Sequence, residues 1–201
     1  MSNENKKAMK INVATIVGLG LLTAVTVVLQ AFAVGIRFGM FNITFSLVPI
    51  IVGAALYGWK SGAWLGFVFG VTVLLTDAGA FLAVNVPGTI VTCILKGALA
   101  GLAAGIVYKL VAKKNKVAAV AVAGIVSPIV NTGLFLLGCV LFFYDTVAAW
   151  GAGMGFEDVG SYLIFGMVGV NFLVEAAVNL VLGSAIVLII NQGKKTLAKA
   201  S

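Results

Sequence analysis

The sequence predicts an all-α integral membrane protein with six transmembrane helices and both termini in the cytoplasm. Hydrophobic residues make up 62% of its 201 residues and charged residues only 9%, whereas a soluble domain carries about 25% charged residues. The apolar residues fall in long runs, and about 20 such residues cross the hydrocarbon core of a bilayer. Lysines are clustered between these runs. We therefore expect a single membrane domain over residues 1–201.

Six apolar runs define the predicted spans. The first follows three lysines and is similar to a secretory signal, but it exceeds the usual 7–15 residues of such an apolar core, so we interpret it as an uncleaved helix. The second and third are short for a full crossing at 1.5 Å per residue, and a shallow or broken pair is the alternative there. Pro128 predicts a kink in the fifth. The spans cover residues 11–34, 43–57, 62–76, 89–111, 117–143 and 162–190.

The charge distribution predicts the topology, because lysine and arginine in short loops stay cytoplasmic. With both termini inside, eleven lysines lie on the cytoplasmic side, Arg37 is the base in the first outer link, and four of the six acidic residues lie in outer loops. The net charge of +7 belongs to these clusters beside the membrane. It therefore indicates contact with a lipid bilayer and not with nucleic acid.

Several classes of function are excluded by what the sequence lacks. Histidine is absent, which removes histidine-based catalysis and histidine metal sites. No GxxxxGK[ST] motif is present, so the chain does not hydrolyse ATP by a P-loop. Cys93 and Cys139 lie inside apolar runs without paired spacing and are interpreted as reduced packing residues. Without paired carboxylates, a metal-ligand set or an activated nucleophile, we expect neither an enzyme nor a bound cofactor or metal.

Two ionisable residues lie within the spans, Lys96 in the fourth and Glu175 in the sixth. An ionised side chain is costly in lipid, so each is expected to face the bundle interior or a cavity. Lys96 lies in the outer half of its span and could bind the carboxylate of an anionic substrate. The alternatives are an ion pair between Lys96 and Glu175, or extension of the lysine toward the outer surface. Glu175 is a second candidate substrate-binding residue.

Asparagines within the spans are candidates for hydrogen bonds to a polar substrate. Asn131 and Asn171 could bond hydroxyl or amide groups. Asn131 lies three residues after Pro128, so it could equally satisfy backbone groups freed at a bent helix. Asn179 is deeper and is interpreted as an interhelical hydrogen-bonding residue.

The outer segments carry two further candidates, Trp150 in the Gly-rich loop from 144 to 161 and Arg37 in the first outer link. An aromatic belt at the membrane interface is the default interpretation of Trp150 and its aromatic neighbours. A lid over a pocket that opens outward is the alternative for both residues.

Small residues recur every four positions in three spans, which places them on one helix face where another helix can approach closely. In the third and fourth spans we interpret them as internal packing. In the first span we interpret Ala14 and Gly18 as a surface for a partner, and Gly20 with Ala24 repeats the pattern. The internal sets are Gly62, Gly66 and Gly70 in the third span and Gly97, Gly101 and Gly105 in the fourth.

Six spans in about 200 residues, without an ATPase motif, resemble the substrate-binding S component of energy-coupling factor (ECF) vitamin transporters. The stretch Leu47–Ile51 followed by Tyr57–Gly62 is similar to the second helix, turn and third helix of that family. The resemblance implies a vitamin bound near the outer face of a bacterial cytoplasmic membrane. It also implies a transmembrane coupling protein and two ABC ATPases as partners, with Ala14 and Gly18 at the position of an Ala-xxx-Ala contact motif.

The resemblance also bears on the substrate. The stretch from Pro128 to Phe135, with Asn131, is similar to the pantothenate branch, and Lys96 or Arg37 would suit a carboxylate. The pyrimidine precursor of thiamine or another vitamin is the alternative ligand. A self-contained secondary transporter is the alternative in another class, although Glu175 alone makes a poor proton relay.

Overall fold

A computed structural model describes residues 13–35, 37–38, 41–42 and 45–199. They form ten α-helices, one π-helical segment and a two-stranded antiparallel ribbon. The helices are α1 (Val13–Gly35), α2 (Leu47–Tyr57), α3 (Trp59–Thr76), α4 (Gly79–Leu82), α5 (Val86–Val111), α6 (Lys116–Phe142), α7 (Tyr144–Gly153), α8 (Val159–Ser161), α9 (Gly169–Val181) and α10 (Gly183–Lys199), with the π segment at Tyr162–Val168. The ribbon pairs β1 (Arg37–Phe38) with β2 (Phe41–Asn42), a small departure from the all-α prediction.

Five stretches of the described chain are long and apolar enough to cross a membrane: α1, α3, α5, α6 and the run from α8 through α9. The multi-pass membrane character is therefore confirmed. The second predicted span is α2, whose 11 residues cover about 16 Å at 1.5 Å per residue. This length fits the alternative of a shallow second span, and the prediction of six full crossings is not confirmed. The cytoplasmic placement of both termini stays a prediction.

The sixth predicted span is not one regular helix. It begins at α8, where the Asp158 carboxylate accepts a 2.8 Å hydrogen bond from the backbone N–H of Ser161, and hydrogen bonds from Ser161 lower the pKa of Asp158. The π segment follows, and α9 and α10 are separated by the single turn residue Leu182, across which the backbone hydrogen bonds from Leu182 to Val178 and from Ile186 to Leu182 continue. Gly169 begins α9 and Gly183 begins α10, and glycine lowers helix propensity by about 1 kcal/mol relative to alanine. The glycines therefore favour the irregularities at the π segment and at Leu182, which the continuous apolar run did not predict.

Two segments predicted as outer loops contain helices. Residues 77–88 contain α4, and the Gly-rich segment 144–161 contains α7. In α7, the side chain of Val147 is fully buried, and Gly151 lies against the ring of Tyr162. Packing of this inner face explains why a helix forms despite the glycines.

The predicted internal packing of α3 against α5 is confirmed. Gly66 lies against the Gly97 backbone carbonyl, and a side chain at Gly62 would lie 2.5 Å from the Gly101 carbonyl oxygen. Gly70 meets the carbonyl of Cys93 in the same way. We call this face the glycine seam. It brings the two backbones into contact along most of α3, which only residues without a Cβ allow.

The remaining helices pack on both sides of the α3–α5 pair. α1 packs against α2 and α3, whereas α6 packs against α5 on one face and against α9 and α10 on others. The ends of α2 and α10 share an apolar core with α5 and α6 that includes Ile51, Ala104, Val120 and Ile186. The main packing order therefore runs from α1 through α3 and α5 to α6 and α9, and α2 also contacts α6 and α10 beside it.

Candidate functional site

An aromatic cluster lies where α4 and α7 meet the end of α6. The ring of Phe81 in α4 is its centre, with ring centroids 5.7 Å from Phe135, 4.9 Å from Phe143 and 5.5 Å from Trp150, all edge to face. Such pairs contribute about 0.5–1.5 kcal/mol each beyond the burial of their area. The cluster therefore ties the two short helices α4 and α7 to α6, and it places Trp150 over this end of the bundle.

Lys96 reaches the aromatic cluster from α5. Its ammonium nitrogen lies over the Phe135 ring, 5.1 Å from the centroid, within the range of a cation–π contact. Lys96 is ten residues into α5, or about 15 Å along the helix at 1.5 Å per residue. The side chain is half-buried. The positive charge is therefore held inside the bundle, against an aromatic face.

Pro128 leaves one backbone acceptor of α6 without its helical donor, because proline has no N–H. That acceptor is the carbonyl oxygen of Gly124, four residues earlier. The buried side-chain amide of Asn179 in α9 donates to it over 3.1 Å. The interhelical role predicted for Asn179 is confirmed, and the backbone acceptor freed by the proline is satisfied by Asn179 and not by Asn131.

The same contact sets the register between α6 and α9. Tyr162 shares a buried cluster with Cys139 and Phe143 near the end of α6, while Asn179 meets Gly124 near its start. The π segment and α9 therefore run antiparallel to α6.

A polar stripe follows from this register. One helical turn beyond the Gly124–Asn179 contact, Ser127 is level with Glu175, which is 1% exposed. One turn further, Asn131 is level with the backbone of Asn171. We call Ser127, Asn131, Glu175 and Asn179 the polar stripe. The polar stripe ends at Asn131, one helical turn before Phe135. The Lys96 ammonium lies over the ring of Phe135.

Several polar atoms at this site have no hydrogen-bond partner in the described part of the chain. They include Oγ of Ser127 and Oδ1 of Asn131 in the polar stripe and Oγ1 of Thr92 in α5. Buried polar atoms are nearly always paired, and each exception needs an explanation. A bound polar ligand or water would supply the missing partners. Thr92 is in α5, the helix that carries Lys96. The other two atoms are in α6, which packs between α5 and α9, the helix that carries Glu175.

Four of the six predicted substrate-binding residues are brought to one region. Lys96 and Trp150 both contact the aromatic cluster, Asn131 lies one turn from Phe135, and Glu175 is in the polar stripe. For Arg37 and Asn171 the structure describes only the backbone, with Arg37 opposite Asn42 in the ribbon. The substrate-binding roles of all six residues stay predictions.

Sequence reasoning missed the aromatic wall and part of the polar stripe. Phe81 lies in the segment 77–88, which was interpreted as a loop, so it was not considered as a site residue. Phe135 and Ser127 lie one helical turn on either side of Asn131, and that spacing on one face of α6 is a signal that could have identified them. Among the described residues, no group of three or more acidic, cysteine or histidine side chains is placed to hold a metal.

The first helix presents its small residues in two directions. A side chain at Gly18 would collide with the hydroxyl of Tyr57 in α2, whereas one at Gly20 would meet nothing within 4 Å. Ala14 and Gly18 are half-buried, while Gly20 and Ala24 are exposed. The contact with Tyr57 accounts for the glycine at 18 from within the chain. The partner role of Ala14 and Gly18 stays a prediction, and the outward pair is Gly20 and Ala24.

A double-mutant cycle tests the link between Pro128 and Asn179. Asn179→Leu leaves the Gly124 carbonyl buried without a donor, and we expect a loss of about 1–3 kcal/mol in unfolding free energy. Pro128→Ala restores the helical N–H, so the same Asn179→Leu change should cost much less in that background. Unfolding of the purified protein in mixed micelles measures both. An equal cost in the two backgrounds would contradict the assignment.

Comparisons with known proteins agree with this architecture. A family model described as the ECF transporter substrate-specific component matches residues 14–190. No curated protein matches this chain. Among solved structures, the chain is similar to ThiT from Listeria monocytogenes, with 20% identity, a TM-score of 0.65, and coverage of 90% of this chain and 95% of that one. That likeness shows a shared fold, and the family match shows that the chain belongs to the substrate-specific components of ECF transporters.

Proposed function

We propose that this S component binds pantothenate at the site formed by the aromatic cluster, Lys96 and the polar stripe. The observation that carries the proposal is the Lys96 ammonium, held within the bundle one helical turn above the unpaired Asn131 Oδ1. An ammonium in this setting favours a carboxylate. Hydroxyl and amide N–H groups along the same ligand would donate to Asn131 and Ser127. Pantothenate offers a carboxylate, hydroxyls and an amide.

The aromatic cluster favours a second candidate, the pyrimidine precursor of thiamine. The rings of Phe81, Phe135 and Trp150 offer apolar faces and edges to a flat heterocycle. Glu175, buried in the polar stripe, could accept from an exocyclic amine. This alternative requires the ligand to lie deeper, toward Glu175, than a carboxylate bound by Lys96 would.

Members of this family work with a coupling protein and ABC ATPases and bind small vitamin substrates. For this chain we place capture at the outer face of a bacterial cytoplasmic membrane. Release inside would follow coupling to the two ATPases, which would perform all ATP hydrolysis. The coupling protein would contact the outward face of α1, where Gly20 and Ala24 are exposed.

Equilibrium binding tests the proposed substrate directly. Purified protein in detergent, without ATP, is titrated with a panel of radiolabelled vitamins and precursors that includes pantothenate and the pyrimidine. One-to-one binding of pantothenate alone supports the first proposal, and binding of the pyrimidine alone replaces it with the second. Uphill uptake by the purified chain alone in liposomes under an ion gradient would contradict the binding-subunit role itself.

Lys96→Gln separates a ligand contact from a structural role. We expect this change to weaken binding of pantothenate by about 10-fold or more, since hydrogen bonds to charged groups contribute about 1.5–3 kcal/mol. Binding of the neutral amide analogue should change far less. The matched control is Lys60→Gln, because Lys60 also lies over an aromatic ring, that of Trp59 at 5.5 Å, but at the other end of the bundle. Equal losses for acid and amide would assign Lys96 to structure.

A further inference from the structure

A basic cleft lies at the lysine-rich end of the bundle, far from the aromatic cluster. It is an open cleft of about 350 Å³ between the ends of α2 and α5 and the last turns of α10. Its floor is made of small apolar residues and its rim of lysines. The lining residues are Ala54, Ala55, Gly58, Tyr108, Lys109, Ala112, Lys113 and Lys194.

One lysine of this basic cleft is held in place by a buried tyrosine. The Lys194 ammonium donates to the Tyr108 hydroxyl over 3.4 Å and lies 5.4 Å from the centre of the same ring. Tyr108 is 4% exposed, so its hydroxyl is fixed at the wall of the cleft. The hydroxyl accepts from Lys194 and keeps its own hydrogen to donate. Lys194 and Tyr108 therefore form an ordered pair of donors.

Within the part of the chain that the structure describes, no acidic side chain at this end of the bundle balances the positive charge of the basic cleft. Five of the six acidic residues are Asp77, Asp145, Glu157, Asp158 and Glu175, which lie in outer segments or within α9, and the sixth, Glu4, precedes the described residues. The C-terminal ends of α2 and α5 offset part of the charge through their backbone carbonyls. The helix dipole accounts for lysines near the C-terminal ends of helices. It does not account for a cleft that is lined by several lysines and a tyrosine hydroxyl.

We infer that the basic cleft binds the phosphate of an anionic phospholipid headgroup. Lys109, Lys113 and Lys194 supply ammonium donors, and the Tyr108 hydroxyl supplies a fixed donor to a phosphate oxygen. The alanine floor suits the glycerol and first acyl carbons of a lipid better than it suits a free, fully hydrated anion. The cleft lies where lysine clusters meet the bilayer surface, and basic pockets between membrane helices bind such headgroups.

Native mass spectrometry of the purified full chain tests this inference with two lipids of opposite headgroup character, phosphatidylglycerol and phosphatidylcholine. We expect selective retention of phosphatidylglycerol. The double change Lys109→Gln with Lys113→Gln should lower that selectivity by about 10-fold, whereas Lys114→Gln with Lys116→Gln should change it at most about twofold. Both pairs are exposed and remove the same charge, but only the first pair lines the cleft.

Two further measurements identify the source of the phosphate and guard against a folding artefact. Tyr108→Phe removes one hydroxyl and no charge, and it should also lower the selectivity. Inorganic phosphate is titrated in place of lipid, and binding as tight as that of phosphatidylglycerol would overturn the lipid assignment. Equal losses from the two lysine pairs would overturn the site itself, because they would show only diffuse attraction between the lysine-rich end and anionic lipid.

Discussion

Gly66→Leu is expected to prevent α3 and α5 from packing and to remove most of the folded protein. Gly66 lies against the backbone carbonyl of Gly97, and a carbonyl cannot move aside as the end of a flexible side chain can. Overpacking a core costs about 1–3 kcal/mol, and more when the backbone must shift. Because the glycine seam involves several such contacts, we expect the upper end of that range or beyond. Monodisperse yield and thermal unfolding in detergent measure the effect.

Gly20→Leu is the matched control for this prediction. It makes the same substitution in another membrane helix, but nothing lies within 4 Å of the added Cβ. Its yield and midpoint should stay close to those of the unmodified protein. A Gly66→Leu protein as stable as the Gly20→Leu protein would show that the glycine seam does not hold α3 against α5.

The same Gly20→Leu protein is expected to lose nearly all vitamin uptake in cells while keeping its substrate affinity. The outward face of α1 around Gly20 and Ala24 is exposed, and close helix contact there depends on the absence of large side chains. A leucine at this point would keep the coupling protein at a distance. Lys96 is in α5, which α3 separates from α1 in the packing order. Substrate binding should therefore be unaffected. Uptake of radiolabelled vitamin and binding to purified protein measure the two properties separately.

Gly133→Leu controls for a general effect of a bulky residue on the membrane surface. Gly133 in α6 is exposed and also has open space around it, but it lies away from α1. The Gly133→Leu substitution should leave vitamin uptake intact. Normal uptake by the Gly20→Leu protein would argue against the Gly20–Ala24 face of α1 as the coupling face and would favour the Ala14–Gly18 face of the same helix.

Much of the fold could be predicted from the sequence because hydropathy and glycine spacing act locally. The apolar runs located α1, α3, α5 and α6 within a few residues, and four-residue glycine spacing indicated the internal seam. The length of α2 was overestimated because its apolar run continues into residues outside the helix. The turn at Leu182 between α9 and α10 was missed because the hydropathy does not change there. The signal that was overlooked is the glycine at position 183.

The site was less accessible to sequence reasoning, because it depends on contacts between distant segments. Lys96 and Glu175 could be identified from the cost of charge in lipid alone. Phe81 could not, since its role arises only when the short helix α4 folds over the end of α6. The partner of the freed Gly124 carbonyl is another such case, because Asn179 is 55 residues away and no local pattern joins them.

The packing order from α1 to α9 has an evolutionary consequence. The proposed coupling face is on α1, which packs against α2 and α3, whereas the proposed vitamin site is built from α4, α5, α6, α7 and α9. The glycine seam between α3 and α5 lies between them in the main packing order. Mutations that alter ligand preference can therefore accumulate on one side without disturbing recognition on the other.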